Sequence, residues 1–162
     1  MTCIVGLEAA GRVWLGTDSY IGTPECSELL DGPKWFRKHG ITCAFAGNVA
    51  HAQRLQFAKI RAPKKREDPL EYLVRVWGKT LPEGHESSYL LAMRGRLYSL
   101  GGGGTVCRTT AGYMAEGAGA PYALGSLHST PDLPPRMRIE LALGAAVCHS
   151  PFATAPLHVI ET

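Results

Sequence analysis

The sequence predicts an α+β domain of four layers, in which two stacked, mainly antiparallel sheets are each covered on the outside by helices. Three observations carry that expectation. Short apolar and β-branched runs come in pairs joined by glycine-bearing turns, which reads as hairpins. Helical stretches come in pairs between those blocks of strands, so each pair covers a sheet rather than linking two parallel strands. Single β-α-β alternation, the signature of a doubly wound nucleotide-binding sheet, does not occur.

The elements follow in order. Thr2 to Leu7 and Arg12 to Thr17 flank Glu8-Ala9-Ala10-Gly11 as a first hairpin, and Ile41 to Ala46 is a third strand. Asn48 is placed to cap a helix running to about Ile60, on which Val49, Ala52, Leu55 and Ala58 recur at helical spacing. Asp68 and Pro69 open the next helix, with Leu70, Leu73, Val74 and Trp77 as its apolar stripe and Pro82 as its stop. Tyr89 to Met93 and Leu97 to Leu100 form a second hairpin around Arg94-Gly95-Arg96. Gly101 to Gly104 reads as a flexible turn, since it lacks the lysine and following helix of a phosphate loop. Extended chain at Tyr113 to Glu116 precedes a short helix from about Pro121 to His128. Pro134-Pro135 then opens a last helix with Ile139, Ala142, Leu143 and Ala146 on one face, and Leu157 to Ile160 closes the chain as a strand.

Composition bounds the function. The 162 residues, 45% hydrophobic and 19% charged, suit one globular domain over residues 1–162, with no linker and no internal repeat. The net charge of +3 is dispersed, and Lys64-Lys65-Arg66 is answered at once by Glu67-Asp68, so no nucleic-acid surface is expected. There is neither a run of 18 apolar residues nor a signal-peptide pattern, which predicts a cytoplasmic protein without membrane attachment. The five cysteines are scattered and lack C-x-x-C spacing, so buried or free thiols are expected rather than disulfides or a zinc cage.

The chemistry is concentrated at the start. In MTCIVGLEAA the apolar strand begins two residues after Thr2, where N-termini are ordinarily loose and polar. Thr2 is small enough for Met1 to be trimmed, which leaves a hydroxyl and a free α-amine on one residue. An α-amine has an ordinary pKa of about 7.7 to 8.0 and so accepts a hydroxyl proton near neutral pH. A lysine ammonium beside it lowers that value further, and a carboxylate keeps the lysine charged and in place. Asp18, at the end of the second strand, and Lys34, in Asp31-Gly32-Pro33-Lys34-Trp35-Phe36, supply both partners.

On these residues the chain resembles the proteasome β-subunits and the bacterial HslV protease, members of the N-terminal nucleophile (Ntn) hydrolases. In that family a mature N-terminal Thr is followed sixteen residues on by Asp and sixteen further by Lys, and Thr2, Asp18 and Lys34 keep both intervals. Cys43-Ala44-Phe45-Ala46-Gly47 resembles the strand that leads to the family's oxyanion-site glycine. Glu116-Gly117-Ala118-Gly119-Ala120-Pro121-Tyr122-Ala123 is similar to its Gly-Ser-Gly-Gly-Pro-Tyr-Ala segment. The opening Met-Thr-Cys-Ile-Val-Gly, and Tyr-Ala-Leu-Gly before a Pro-Pro helix, are closer still to small proteasome-like proteins of bacteria and their phages.

The resemblance covers nearly the whole chain and implies the Ntn-hydrolase fold and a threonine peptidase. Thr2 is the implied nucleophile and base, Asp18 and Lys34 tune its amine, and Gly47 offers its amide to the oxyanion. Neither metal nor organic cofactor is implied. The implied substrate is a peptide or unfolded protein, the assembly a homo-oligomeric ring enclosing the sites, and a further partner an unfolding ATPase. Two departures stand against this pattern. Ala118 occupies the place of a family serine that bonds the threonine amine, and no acidic residue lies between Glu140 and Glu161, where the family's proteasomes carry an aspartate supporting that serine; His149 and Ser150 fall there instead. Two alternatives therefore stay open: a non-catalytic shell or scaffold subunit, and an Ntn amidase acting on a small molecule.

Overall fold

The computed structural model describes residues 2–22 and 26–162; the expected trimming of Met1 lies outside them. Strands β1 (Ile4–Ala9) and β2 (Arg12–Thr17) form the first hairpin, closed by Ala10 and Gly11 at φ 49° and 76°. Positive φ at both central residues matches the right-handed twist of the strands it joins. With β10 (Tyr113–Glu116) on one side and β11 (His158–Glu161) on the other, they make an antiparallel sheet in the order β10-β1-β2-β11. The second sheet runs β5-β6-β7-β8-β9, built from Trp35–Lys38, Ile41–Ala46, Ser88–Met93, Arg96–Leu100 and Val106–Cys107. A small hairpin of β3 (Tyr20–Gly22) and β4 (Ser27–Leu29) stands apart from both.

Period-2 alternation distributes the side chains among the layers. Ile4, Val13 and Leu15 of the first sheet meet Ala44, Ala46, Leu90, Ala92 and Leu97 of the second in the sandwich interior. Their neighbours Cys3, Val5 and Leu7 point the other way, onto α3 (Ala120–Ser129) and α4 (Pro135–His149). The α4 face is the predicted one, with Ile139, Ala142, Leu143 and Ala146 all buried. Close contact of this helix requires Gly16, because a Cβ there would lie 2.3 Å from Ile139 Cγ2. On the far side Ile41, Cys43, Leu91 and Met93 carry α1 (Val49–Phe57) and the segment opened by α2 (Pro69–Tyr72). The four-layer order is thus helix, sheet, sheet, helix. Among the described residues, no helix is long and apolar enough to cross a membrane.

Two local expectations need correction. The segment after Asp68 is not one regular helix: α2 gives way to a π-helical turn at Leu73–Trp77 and a 3₁₀ turn at Gly78–Thr80. Winding wider than 3.6 residues per turn shifts the buried face. Tyr72, Leu73 and Trp77 are fully buried, while Leu70 and Val74 of the predicted stripe are 43% and 42% exposed. Gly102–Gly104 is a turn, as expected, with Gly103 and Gly104 at φ 68° and 76°, and it is seated on the helical segment, where a Cβ on Gly78 would lie 2.9 Å from Gly104 O. Strands β3, β4, β5 and β9 are short, of two to four residues, and gave no sequence signal.

Candidate active site

Pairing in the first hairpin brings Asp18 back to the chain start. The register Ile4↔Thr17 puts the residue after Thr17 beside Cys3, and Asp18 N–H donates to Cys3 O at 3.2 Å. Alternation then separates the first two described residues. Thr2 faces the cleft, while Cys3 is buried against Gly119 and Ala146, and burial pushes its thiol up to about 12. Of the adjacent hydroxyl and thiol, only the hydroxyl is presented for chemistry.

Thr2, Asp18 and Lys34 form one buried polar cluster, at 2%, 0% and 4% exposure. Thr2 Oγ1 donates to Asp18 Oδ1, and Lys34 Nζ donates to Thr2 Oγ1 and, at 2.7 Å, to Asp18 Oδ1. The carboxylate is fixed by backbone as well. Cys3 N–H reaches Oδ1 at 3.0 Å, while Tyr20 N–H and Thr154 N–H reach Oδ2 at 2.9 Å and 3.1 Å. Lys34 is held at its own backbone, whose N–H donates to Thr17 Oγ1 at 3.3 Å. Burial lowers the Lys34 ammonium pKa, and the charge and hydrogen bond of Asp18 oppose that shift.

The loop before α3 grips Thr2 from outside. Gly119 N–H donates to Thr2 O at 3.2 Å, and Gly117, at φ 93°, approaches so closely that a Cβ would lie 2.3 Å from that oxygen. Ala118 sits between them and is exposed, with no hydroxyl to offer. Neither residue near the end of α4 replaces it. The His149 ring lies 5.5 Å from that of Tyr122, and the Ser150 hydroxyl accepts from Phe152 N–H at 3.3 Å.

Gly47 lies on the opposite wall, where β6 turns into α1, with φ at 110°. Thr2, Lys34 and Gly47 line one cleft of about 290 Å³, together with Tyr20, Phe45 and Val49. Asn48 caps α1, its Oδ1 accepting from Ala50 N–H at 2.8 Å. The four predicted site residues therefore share one place: three in direct contact and Gly47 across the cleft. Spacing alone did not reveal the second layer. Thr154 lies 136 residues from the carboxylate it holds, and the Thr17 hydroxyl reads in sequence as an ordinary strand residue. Ser87, whose Oγ accepts from Asn48 N–H at 3.1 Å, belongs to a loop without a motif.

The arrangement suits acyl transfer: a hydroxyl bonded to an ammonium and a carboxylate, with a backbone wall opposite. No protein-family model and no curated protein matches the chain. Solved structures do. BPH from Thiobacillus denitrificans aligns at 19% identity and TM-score 0.84, over 99% of this chain and 97% of that one, and a second structure of it, at 18% identity, holds epoxomicin. Eukaryotic HslV from Trypanosoma brucei aligns at 18% identity and TM-score 0.74, over 99% and 98% of the two chains. Anbu, an ancestral beta-subunit from Yersinia bercovieri, aligns at 15% identity and TM-score 0.77, over 99% and 81%. Two antiparallel sheets between helix layers, matched along essentially its full length, give this chain the Ntn-hydrolase fold of the proteasome-like proteins.

Proposed function

We propose that the chain is a threonine peptidase whose nucleophile is the Thr2 hydroxyl and whose base is the α-amine freed by loss of Met1. The observation that carries this reading is the contact of Lys34 Nζ with both Thr2 Oγ1 and Asp18 Oδ1 inside a buried cluster. Thr2 Oγ attacks the substrate carbonyl carbon and its proton passes to the amine. The oxyanion so formed is met by the Gly47 N–H, and the amine returns the proton to the leaving amino group as the C–N bond breaks. Water then attacks the threonyl ester, gives a proton to the same amine, and releases the carboxylic acid as the hydroxyl is restored. Lys34 donates to the reacting oxygen, and Asp18 keeps that lysine charged in a place where burial favours its neutral form. The single 1–162 domain acts within a homo-oligomeric ring on peptides or unfolded chains delivered by a separate unfolding ATPase.

Intact mass before and after incubation with a peptide epoxyketone tests the reading, because double attachment of that reagent needs both the hydroxyl and the amine of an N-terminal threonine. A chain that lacks Met1 and gains one inhibitor mass, with no gain in Thr2→Ala, is the expected result. One observation favours the scaffold reading, the missing hydroxyl at Ala118 in the loop that grips Thr2. A chain trimmed of Met1 that takes no inhibitor overturns the peptidase and supports the scaffold.

A further inference from the structure

The helical layer over the second sheet carries a ledge of positive charge. Residues 59–68, between α1 and α2, hold five cations and two carboxylates. In sequence Glu67 and Asp68 answer Lys64-Lys65-Arg66, but in the fold both carboxylates are engaged elsewhere. Glu67 takes the Arg61 guanidinium through both oxygens and Lys64 N–H at 2.9 Å, which holds its carboxyl down to about 2. Asp68 caps α2, accepting from Glu71 N–H at 2.8 Å, and Glu71 pairs with Arg75 at 3.1 Å. Lys59, Lys64, Lys65 and Arg66 are exposed and have no ion pair among the described residues. We infer that this ledge is a docking surface for an acidic segment of a partner protein, a short run of Asp and Glu with an apolar residue at one end.

The ledge is held in one shape from below. Residues 58–68 contain no helix or strand, yet side chains from the β5–β6 and β7–β8 turns and from α2 bond its carbonyls. Lys38 Nζ donates to Gln56 O and Ala58 O, each at 2.6 Å, and His39 Nε2 lies 2.9 Å from Ile60 O. Arg94 donates to Lys64 O at 2.6 Å and to Glu67 O at 2.7 Å, and the Tyr72 hydroxyl donates to Arg61 O at 2.6 Å. A surface fixed in advance loses little freedom when a partner arrives. Four exposed cations within eight residues complement a run of carboxylates. Phe57, bracketed by the two carbonyls that Lys38 holds and 75% exposed, adds an apolar contact at the edge of the run. A nucleic-acid strand fits less well. Residues 58–68 offer no aromatic face for a base to stack on, and Glu67, Asp68 and Glu71 border the ledge with charge that repels a continuous phosphate chain.

The ledge does not depend on the chemistry of Thr2, and binding tests it directly. Three fluorescein-labelled probes are titrated into the full chain and followed by anisotropy: the peptide Leu-Asp-Glu-Asp-Glu-Asp, its neutral counterpart Leu-Asn-Gln-Asn-Gln-Asn, and an oligothymidylate of about 12 nucleotides. The acidic peptide is expected to bind and the neutral one to fail. Affinity falls as salt rises from about 0.05 M to about 1 M, where the Debye length shrinks to about 3 Å. Changing Lys64→Ala, Lys65→Ala and Arg66→Ala together weakens the acidic peptide about 10-fold, the joint worth of three exposed ion pairs. The same loss of three cations elsewhere, Arg12→Ala, Arg108→Ala and Arg136→Ala, changes its affinity less than about 2-fold, because those charges lie beyond contact. Absence of acidic-peptide binding at low salt overturns the docking surface. So does an equal loss in the two triple variants, which would reduce the attraction to net charge. Tighter binding of the oligothymidylate than of the acidic peptide assigns the ledge to nucleic acid and also overturns it.

Discussion

On the Thr2 side of the cleft a buried carboxylate has five donors, Thr2 Oγ1, Lys34 Nζ and three backbone amides, whereas on the Gly47 side a buried imidazole has none among the described residues. Both walls carry a buried polar group, Asp18 at 0% and His85 at 6% exposure. They differ in whether the protein satisfies its own polar groups. A saturated network is fixed before substrate arrives, which is what a reacting hydroxyl requires.

Removing the cation breaks the contrast most forcefully. Lys34→Met leaves Asp18 charged and buried, and loss of one member of such a pair costs about 3 to 5 kcal/mol. The remaining hydroxyl and amide donors to Asp18 put the expected loss near the low end. Urea unfolding measures it, and a loss below about 1 kcal/mol, the range of an exposed pair, would mean the cluster is open to solvent. Epoxyketone labelling falls with it.

Gly47→Ala attacks the other wall by geometry instead of charge. The new Cβ would lie 2.9 Å from Ser87 Cα, at a backbone φ of 110° that L-residues rarely adopt, so a stability loss of about 1 to 3 kcal/mol is expected. The two walls then separate: thermal unfolding shifts downward, while the Lys34–Asp18 ion pair is untouched. A fully stable variant would show that the loop from Gly84 to Ser87 yields without cost.

Asn48→Ala removes only a helix cap and is expected to cost about 1 kcal/mol. Since the bond to Ser87 Oγ is made by the Asn48 backbone N–H, epoxyketone labelling should survive this change. Its loss would instead assign the Asn48 side chain to peptide binding in the cleft.

The mildest test uses pH. Cys3 titrates near 9 when unfolded and near 12 in the fold, because burial disfavours its thiolate. With a raised folded value, the stability it contributes is fully present below pH 9 and is lost as pH rises toward 12. Alkylation of native protein at pH 9 should therefore modify Cys26, Cys107 and Cys148, which are exposed, and spare Cys3 and Cys43. Modification of Cys3 at the rate of Cys148 would show that the strand end carrying Thr2 opens.

Where periodicity was strong, the elements were legible: β2, β6 and the buried face of α4 fall where alternation and helical spacing put them. The segment after Asp68 was misread because its stripe assumed 3.6 residues per turn, and a π turn rotates Val74 outward without any mark in composition. The equal intervals from Thr2 to Asp18 to Lys34 were visible as a pattern, and hairpin pairing of β1 with β2 explains why the first interval joins two side chains in space. For Lys34 no local rule does so. It reaches the cluster because β5 and β6 belong to a second sheet stacked on the first.

The sequence by itself thus determined the longer strands, most of the helices and the layer architecture, which follow from local periodicity and turn chemistry, and it offered Thr2, Asp18 and Lys34 through the chemistry of a terminal threonine and the intervals of a family resemblance. Only the tertiary structure decided that Thr154 and Tyr20 hold the carboxylate, that the Cys3 thiol is sealed from the cleft, and that His85 is buried beside Gly47. Those facts are set by contacts between segments far apart along the chain. Hydrogen-bond satisfaction is a property of the packed whole, and no window of neighbouring residues contains it.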